Sequence, residues 1–314
     1  RSISAAFQEH LRLLGLREFP CAAPGSGTPL PGRPREQLRS GVRRSERSES
    51  REEREELLRG PRSPWALPPG CSTEEQRLRL LAVRAPWLAR DGSVFLFFRT
   101  LRLVDQGVDE VDEGLLRFER LEELVLSANR IGAVASANLP RTLTVLELCG
   151  NSVGDLRGLC ARPPPRLQHL GLGHNRLRGA DHGAFLTDRF WPNLVSLDLS
   201  FNGLTDLRAL LSRLSSLRKL RALVLQGNPL ALLPAYRGLV VDSLPALCAL
   251  DDARIGPDEK HRCQGLAARP ELLPPAARVA VSVGALRGLP EPRAPEPGAD
   301  FPVVTCSYYV TYEF

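Results

Sequence analysis

The stretch LEELVLSANRI, residues 121–131, decides how this chain folds. Leu124 and Leu126 alternate with Glu123, Val125 and Ser127, the pattern of a short strand with one buried face. Leu121 and Ile131 flank that strand and turn inward from its two ends. Asn129 stands where the chain bends out of the strand, where its carboxamide suits backbone groups that the bend leaves unpaired. The phrase returns as LTVLELCGNSV from Leu143, LQHLGLGHNRL from Leu167, LVSLDLSFNGL from Leu194 and LRALVLQGNPL from Leu220. A weaker copy, FRTLRLVDQGV from Phe98, has Gln106 at the asparagine position. Successive copies start 23, 22, 24, 27 and 26 residues apart.

Self-similarity at this period and in this pattern is that of a leucine-rich repeat. The expected fold is α/β: a solenoid with a short parallel sheet on its concave face and helices or 3₁₀ turns on its convex face. Stacking the copies brings Asn129, Asn151, Asn175, Asn202 and Asn228 into one column, whose reading is structural. The short early steps leave room only for an extended or 3₁₀ return. The longer later ones admit a helix, and LTDLRALLSRLSSLRKL fits one with Leu204, Leu207, Leu211, Leu214 and Leu217 on one face. The insertion GADHGAFLTDRFWPN adds Phe185, Phe190 and Trp191, which read as convex-side core before they read as partner anchors.

A repeat cannot bury its apolar face alone, so both ends need caps. After the last asparagine, NPLALLPAYRGLVVDSLPALCALDD carries Tyr236, Arg237, Leu250 and Asp251. It resembles the cap of the intracellular, phosphatase-regulator-like class of leucine-rich repeats, and that resemblance implies that these four residues close the last coil. The resulting division is an amphipathic helix over 1–19, a disordered Arg/Glu/Pro-rich linker over 20–62 and a helical cap over 63–97. The repeats occupy 98–230, their C-terminal cap 231–257, a linker 258–275 and a partial β module 276–314. The first helix has Ile3, Phe7, Leu11 and Leu14 on one stripe, which suits packing on its own protein or docking on a partner equally. The last segment switches to period two in ARVAVSVGAL and to β-branched and aromatic residues in PVVTCSYYVTYEF.

The chain has 314 residues, a net charge of +6 and no methionine, even at position 1, so it is expected to be a piece of a longer protein. No run approaches the ~18 apolar residues of a membrane span. Seven cysteines are scattered without a C-x-x-C pair, which points to free thiols in a reducing, cytoplasmic compartment and to no metal site. The arginines of RPREQLRSGVRRSERSESREEREELLRG are interleaved with glutamates and lack aromatics, unlike a nucleic-acid arm. His169 and His174 come with no nucleophile or paired carboxylate in a motif, and GLGHN lacks the Lys-Ser/Thr of a phosphate loop. No enzyme activity, cofactor, nucleic acid, membrane or small-molecule substrate is expected.

Taken together, LEELVLSANRI, LQHLGLGHN, WPNLVSLDLSFN, LVLQGNPLALLPAYRG and the terminal YYVTYEF make the chain similar to a vertebrate family of intracellular leucine-rich repeat proteins. The likeness runs from the REFPC segment through the repeats into the β module and departs in the Arg/Glu linker and the Pro-rich loop. It implies a protein without known catalytic activity. Similar repeat proteins build motile cilia, where they dock dynein, radial-spoke or regulatory parts on microtubules. The expected function is therefore a protein-protein interaction scaffold, a docking or structural component of the axoneme. The alternative is a soluble cytosolic adaptor regulating an enzyme such as a phosphatase.

In each copy the residues between the buried leucines face the concavity. That face is expected to present Arg102, Glu123, Val125, Val145, Glu147, His169, Asp198 and Val224, with Phe201 at the rim and Val125, Val145 and Val224 exposed. Six strands about 4.8 Å apart make a sheet roughly 25 Å wide, enough for one helix. Glu123, Glu147 and Asp198 with the adjoining valines point to a basic or amphipathic helix as the occupant.

Overall fold

The structure, a computed structural model, describes residues 1–16, 51–63, 65, 66, 71–84, 93–178, 181–269 and 272. One sheet of eight strands runs in chain order: β1 (Thr100–Arg102), β2 (Glu123–Val125), β3 (Val145–Glu147), β4 (His169–Gly171), β5 (Ser196–Asp198), β6 (Ala222–Val224), β7 (Ala249–Leu250) and β8 (Ala253–Arg254). The first seven are parallel, and β8 folds back antiparallel on β7. Leu101, Leu124, Leu146, Leu170, Leu197, Leu223 and Leu250 share one register position and are all buried. Each buried leucine removes apolar surface worth roughly 1.5–3 kcal/mol from water, so a one-residue slip in any coil is strongly disfavoured.

Strands of two or three residues make few ladder bonds, and the asparagines supply others. Asn129 Nδ2 donates to the carbonyl of Leu103 in the coil before it (2.7 Å) and to Leu126 in its own coil (2.9 Å). Its Oδ1 accepts from the N–H groups of Gln106 and Val108. Asn151, Asn175, Asn202 and Asn228 repeat the arrangement, reaching back to the carbonyls of Leu126, Leu148, Leu172 and Leu199 at 2.9–3.0 Å.

On the convex side the early returns are 3₁₀ turns at Glu113–Arg117 and Ser136–Asn138, followed by the short α4 (Arg157–Cys160). The longer fifth return holds α5 (Leu207–Leu214), capped by Asp206, whose carboxylate accepts from the N–H of Ala209 (2.9 Å). Its apolar face, with Leu204 and Leu217 beside it, is buried. Trp191 is buried and its indole N–H donates to the Phe185 carbonyl (2.8 Å), while Phe185 and Phe190 pack against the core. These aromatics are convex-side core.

The N-terminal end is closed by α1 (Ile3–Leu13), whose stripe of Ile3, Phe7, Leu11 and Leu14 is buried in the chain's own core. The Phe7 ring lies 4.8 Å from Phe118 and 5.3 Å from both Phe95 and Phe98, forming a cluster against the first coil. The Ile3 N–H donates to the Glu110 carbonyl (3.1 Å), which ties the helix start to the loop after β1. The helix therefore docks in cis. Its His10 meets Glu75 (2.7 Å) on α3 (Thr73–Arg84). The start of α3 is a reciprocal cap: the Ser72 hydroxyl accepts from the Glu75 N–H, and the Glu75 carboxylate accepts from the Ser72 N–H.

Two expected linkers contain helices. In the stretch 20–62, residues 51–59 form α2 (Arg51–Arg59), because Glu55 pairs with Arg84 of α3 (2.8 Å) and Leu58 is buried. In the stretch 258–275, α7 (Pro257–Cys263) follows α6 (Tyr236–Ser243). Pro257 starts it, Asp258 and Glu259 sit in its first turn, and Glu259 holds Arg237 (2.6 Å). The rest of the 20–62 linker up to residue 50, Pro64, 67–70, 85–92 and the β module of 276–314 lie outside the described residues.

Asn151→Ala leaves the Leu126 and Leu148 carbonyls and the Ile131 N–H without their buried partner. Urea unfolding should show a loss of about 3 kcal/mol. Phe7→Ala should cost about 3–5 kcal/mol in the same assay; a loss under about 1 kcal/mol would mean that α1 does not hold the first coil.

Candidate partner-binding face

Strand register lines up the middle of the concave face as Arg102, Val125, Glu147, Gly171, Asp198 and Val224. Beside it runs Thr100, Glu123, Val145, His169, Ser196 and Ala222. Arg102 and Glu123 are exposed, whereas Val145, Glu147, His169, Asp198 and Val224 are half-buried. Val125 departs from the expected exposure: it is only 8% accessible, flanked in register by the long side chains of Arg102 and Glu147. In these two columns the apolar contribution thus comes from Val145 and Val224, with exposed Val104 beyond them on the first coil.

The centre is shaped by the two glycines of LGLGHN, which composition alone does not mark as functional. A Cβ on Gly171 would fall 2.1 Å from Glu147 Oε1, so the Glu147 carboxylate lies directly over that backbone. There it accepts from the Cys149 N–H (3.0 Å) and meets His169 Nε2 (3.0 Å). Over Gly173, a Cβ would meet Cys149 Sγ, Ser200 Oγ and Asp198 Oδ2, all within 2.9 Å. Asp198 in turn accepts from the Ser200 N–H (2.8 Å). Two carboxylates from β3 and β5 are therefore aimed by backbone N–H groups into a trough over Gly171 and Gly173, which have no side chains.

Phe201 stands at the rim, 46% accessible, with its ring stacked on that of His174 at 4.2 Å between centroids. Both residues have left-handed backbones, φ 48° and 51°, which cost non-glycine residues roughly 1–2 kcal/mol. The neighbouring coil has Gly227 at the same position, and the Phe201 ring occupies the space where a Gly227 side chain would be. The sequence signal for this stack is the pair of aromatic residues at a position that glycine otherwise suits.

The cluster of Cys149, His169, Glu147 and Asp198 brings together residue types of nucleophilic catalysis, yet its electrostatics run the wrong way. Burial pushes the Cys149 thiol up to about 11, with the Asp198 and Glu147 carboxylates adding to the shift. A nucleophilic cysteine needs the opposite. Among the described residues no group of three or more His, Cys, Asp or Glu side chains is placed to hold a metal ion. Nor is any helix there long and apolar enough to cross a membrane.

At the C-terminal end, Asp251 follows the register leucine Leu250 directly, in line with Val224, and closes the last coil with acceptor groups alone. Its Oδ1 accepts from the Leu225 and Gln226 N–H groups (2.7 and 2.9 Å), and its Oδ2 accepts from the Tyr236 hydroxyl (2.9 Å). Burial and the Asp251 carboxylate push the Tyr236 phenol far up. Arg237 donates to the Leu250 and Arg254 carbonyls and to Glu259, so one guanidinium joins β7, β8 and α7.

Because the Cys149 thiol stays protonated well above neutrality, iodoacetamide at mildly alkaline pH should label exposed Cys248 well before Cys149. Asp198→Asn should speed the labelling of Cys149, as peptide mapping by mass spectrometry would show.

Residues 10–90 match the model of the leucine-rich repeat-containing protein 43 N-terminal domain, and residues 165–230 match that of the leucine rich repeat. Leucine-rich repeat-containing protein 43 of Homo sapiens is 49% identical over 322 aligned residues, covering 100% of this chain and 49% of that protein. Its Mus musculus counterpart is 48% identical, covering 100% and 48%. The chain thus spans about half the length of these curated relatives. Among solved structures, that of the Drosophila melanogaster SNF/U2A′ complex matches with a TM-score of 0.35 and 23% identity, covering 55% of this chain and 83% of that one.

Proposed function

We propose, from the premise that the chain belongs to the family of leucine-rich repeat-containing protein 43, that it is a non-catalytic scaffold whose concave face holds a basic or amphipathic helix. The observation that carries this reading is the trough over Gly171 and Gly173, into which Glu147 and Asp198 point. Both carboxylates are held by main-chain donors before any partner arrives, so little side-chain order remains to be lost on binding. Glu123 extends the negative field to the next strand, half-buried Val145 and Val224 offer apolar contact, and Phe201 supplies a rigid aromatic at the rim.

The setting we propose is the motile-cilium axoneme, with the chain as a docking or structural component. Its support is the resemblance to repeat proteins that dock dynein, radial-spoke and regulatory parts. The second reading, a soluble adaptor that regulates an enzyme such as a phosphatase through the same face, is favoured by the cap built on Tyr236, Arg237 and Asp251.

Glu147→Lys with Asp198→Lys should weaken capture of the main partner by about 2–5 kcal/mol. Unchanged recovery in pull-downs would eliminate the concave face as the binding surface. Detergent extraction of ciliated epithelial cells separates the two settings. Retention with the axoneme is the expected outcome, and release with the detergent extract would favour the adaptor.

A further inference from the structure

The concave face leaves a second charged surface unused. Before each strand the chain turns sharply, and these turns together form one edge of the sheet. Backbone bonds run along it from coil to coil: Thr144 to Glu122, Gln168 to Thr144, Val195 to Gln168, Arg221 to Val195 and Cys248 to Arg221, each 2.7–2.8 Å from N–H to carbonyl. Equivalent positions on this edge are therefore neighbours about 4.8 Å apart.

The turns ahead of β3, β4, β5 and β6 expose Arg141, Arg162, Arg166, Arg218, Lys219 and Arg221. Ahead of β2 the same edge carries Glu119 and Glu122 beside Arg120, with Glu122 paired to Arg99; from β3 onward the carboxylate in these turns is Asp188, and Arg189 follows it directly. Among the described residues none of the six cations forms an ion pair. Some arginines off the edge are matched, as in Arg84–Glu55, Arg99–Glu122, Arg157–Asp155 and Arg237–Glu259, while exposed Arg130, Arg176, Arg208 and Arg254 form no ion pair among the described residues either; what sets the edge apart is that its cations are clustered. On the edge the partners are neutral. Arg141 donates to the carbonyls of Arg162 and Pro163 (3.1 and 2.9 Å), Lys219 to Asn193 Oδ1 (2.6 Å), and Arg221 to the carbonyls of Arg218 and Leu220 (both 2.9 Å). Such contacts fix the heads in place without cancelling their charge.

We propose that this edge is a second docking surface and that it takes an acidic polypeptide segment. The partner's class follows from charge complementarity and from what lies between the cations: exposed Val195, Pro165 and Pro192. Apolar positions among cations suit the side chains of an acidic peptide, whereas a nucleic-acid strand is usually met by stacking aromatics. The inference goes beyond the concave-face reading, because it gives the solenoid two surfaces of opposite sign and so two simultaneous partners.

The test is fluorescence anisotropy of a short labelled poly-L-glutamate with the whole chain at moderate salt. The variant R141E/R166E/R218E/K219E is compared with R130E/R176E/R208E/R254E, which makes the same change in net charge at exposed positions away from this edge. The expected result is a loss of about tenfold or more for the edge set and a loss several times smaller for the other. Equal losses would show that bulk charge alone attracts the probe and would overturn the proposal. So would tighter binding of an oligothymidylate of matching charge, which would reassign the edge to nucleic acid. If the reversed variant unfolds by circular dichroism, the glutamine set R141Q/R166Q/R218Q/K219Q should give the same ranking. Poly-L-lysine binding, followed with E147K/D198K, reads the concave face separately, so failure of either surface is distinguishable from failure of the other.

Discussion

Everything in this solenoid depends on a buried carboxamide that belongs to two coils at once. Each strand is too short to hold its neighbour by ladder bonds alone, and the turn leaving each strand points main-chain groups inward, where water cannot reach them. An asparagine side chain has both donors and an acceptor, so it satisfies the turn of its own coil and the carbonyl of the coil before it. The exceptions at the ends follow from the same requirement. Gln106, in the first coil, has no earlier coil to reach and makes no such bridge. In the last coil the asparagine position is Ile255, and a different residue, Asp251 in line with Val224, caps the sheet by accepting from the Leu225 and Gln226 N–H groups and the Tyr236 hydroxyl.

The same turn sets a second constraint one residue earlier. Asp105, Ala128, Gly150, His174, Phe201 and Gly227 all have positive φ, between 48° and 73°. Glycine meets that demand without strain. His174 and Phe201 meet it with side chains that then project from the rim and stack on one another, and Gly227 leaves the space that the Phe201 ring fills. A backbone rule of the repeat thereby determines where an exposed aromatic surface lies.

Much of this was legible in the sequence because the repeat is periodic and local. The leucine and asparagine columns follow from spacing within one coil, and the strand-plus-return pattern needs no knowledge of what packs beside it. What could not be read depends on contacts between distant segments. Nothing in SISAAFQEHLRLL says that Phe7 meets Phe95, Phe98 and Phe118, about a hundred residues later. Nothing in REEREELLR says that Glu55 reaches Arg84 and so turns a mixed-charge stretch into a helix. The covering of Val125 depends on which residues stand beside it on two other strands. What Gly171 and Gly173 accommodate likewise depends on other strands, whose Glu147 and Asp198 lie over them.

The net charge of +6 describes no face of the molecule. Acidic side chains gather over β4, and basic ones that form no ion pair among the described residues line the edge where β3 to β6 begin. From Arg221 on that edge to Val224 on the concave column is three residues of strand, roughly 10 Å. That is close to the Debye length of about 8–10 Å at physiological ionic strength. A charged partner approaching either surface in the cell therefore responds mainly to the local sign and little to the total. At low ionic strength the two fields overlap, and the basic edge offsets part of the attraction that the trough exerts on a cationic helix. Discrimination between oppositely charged partners is thus a property of this geometry at physiological salt, produced by segregating charge across the width of a three-residue strand.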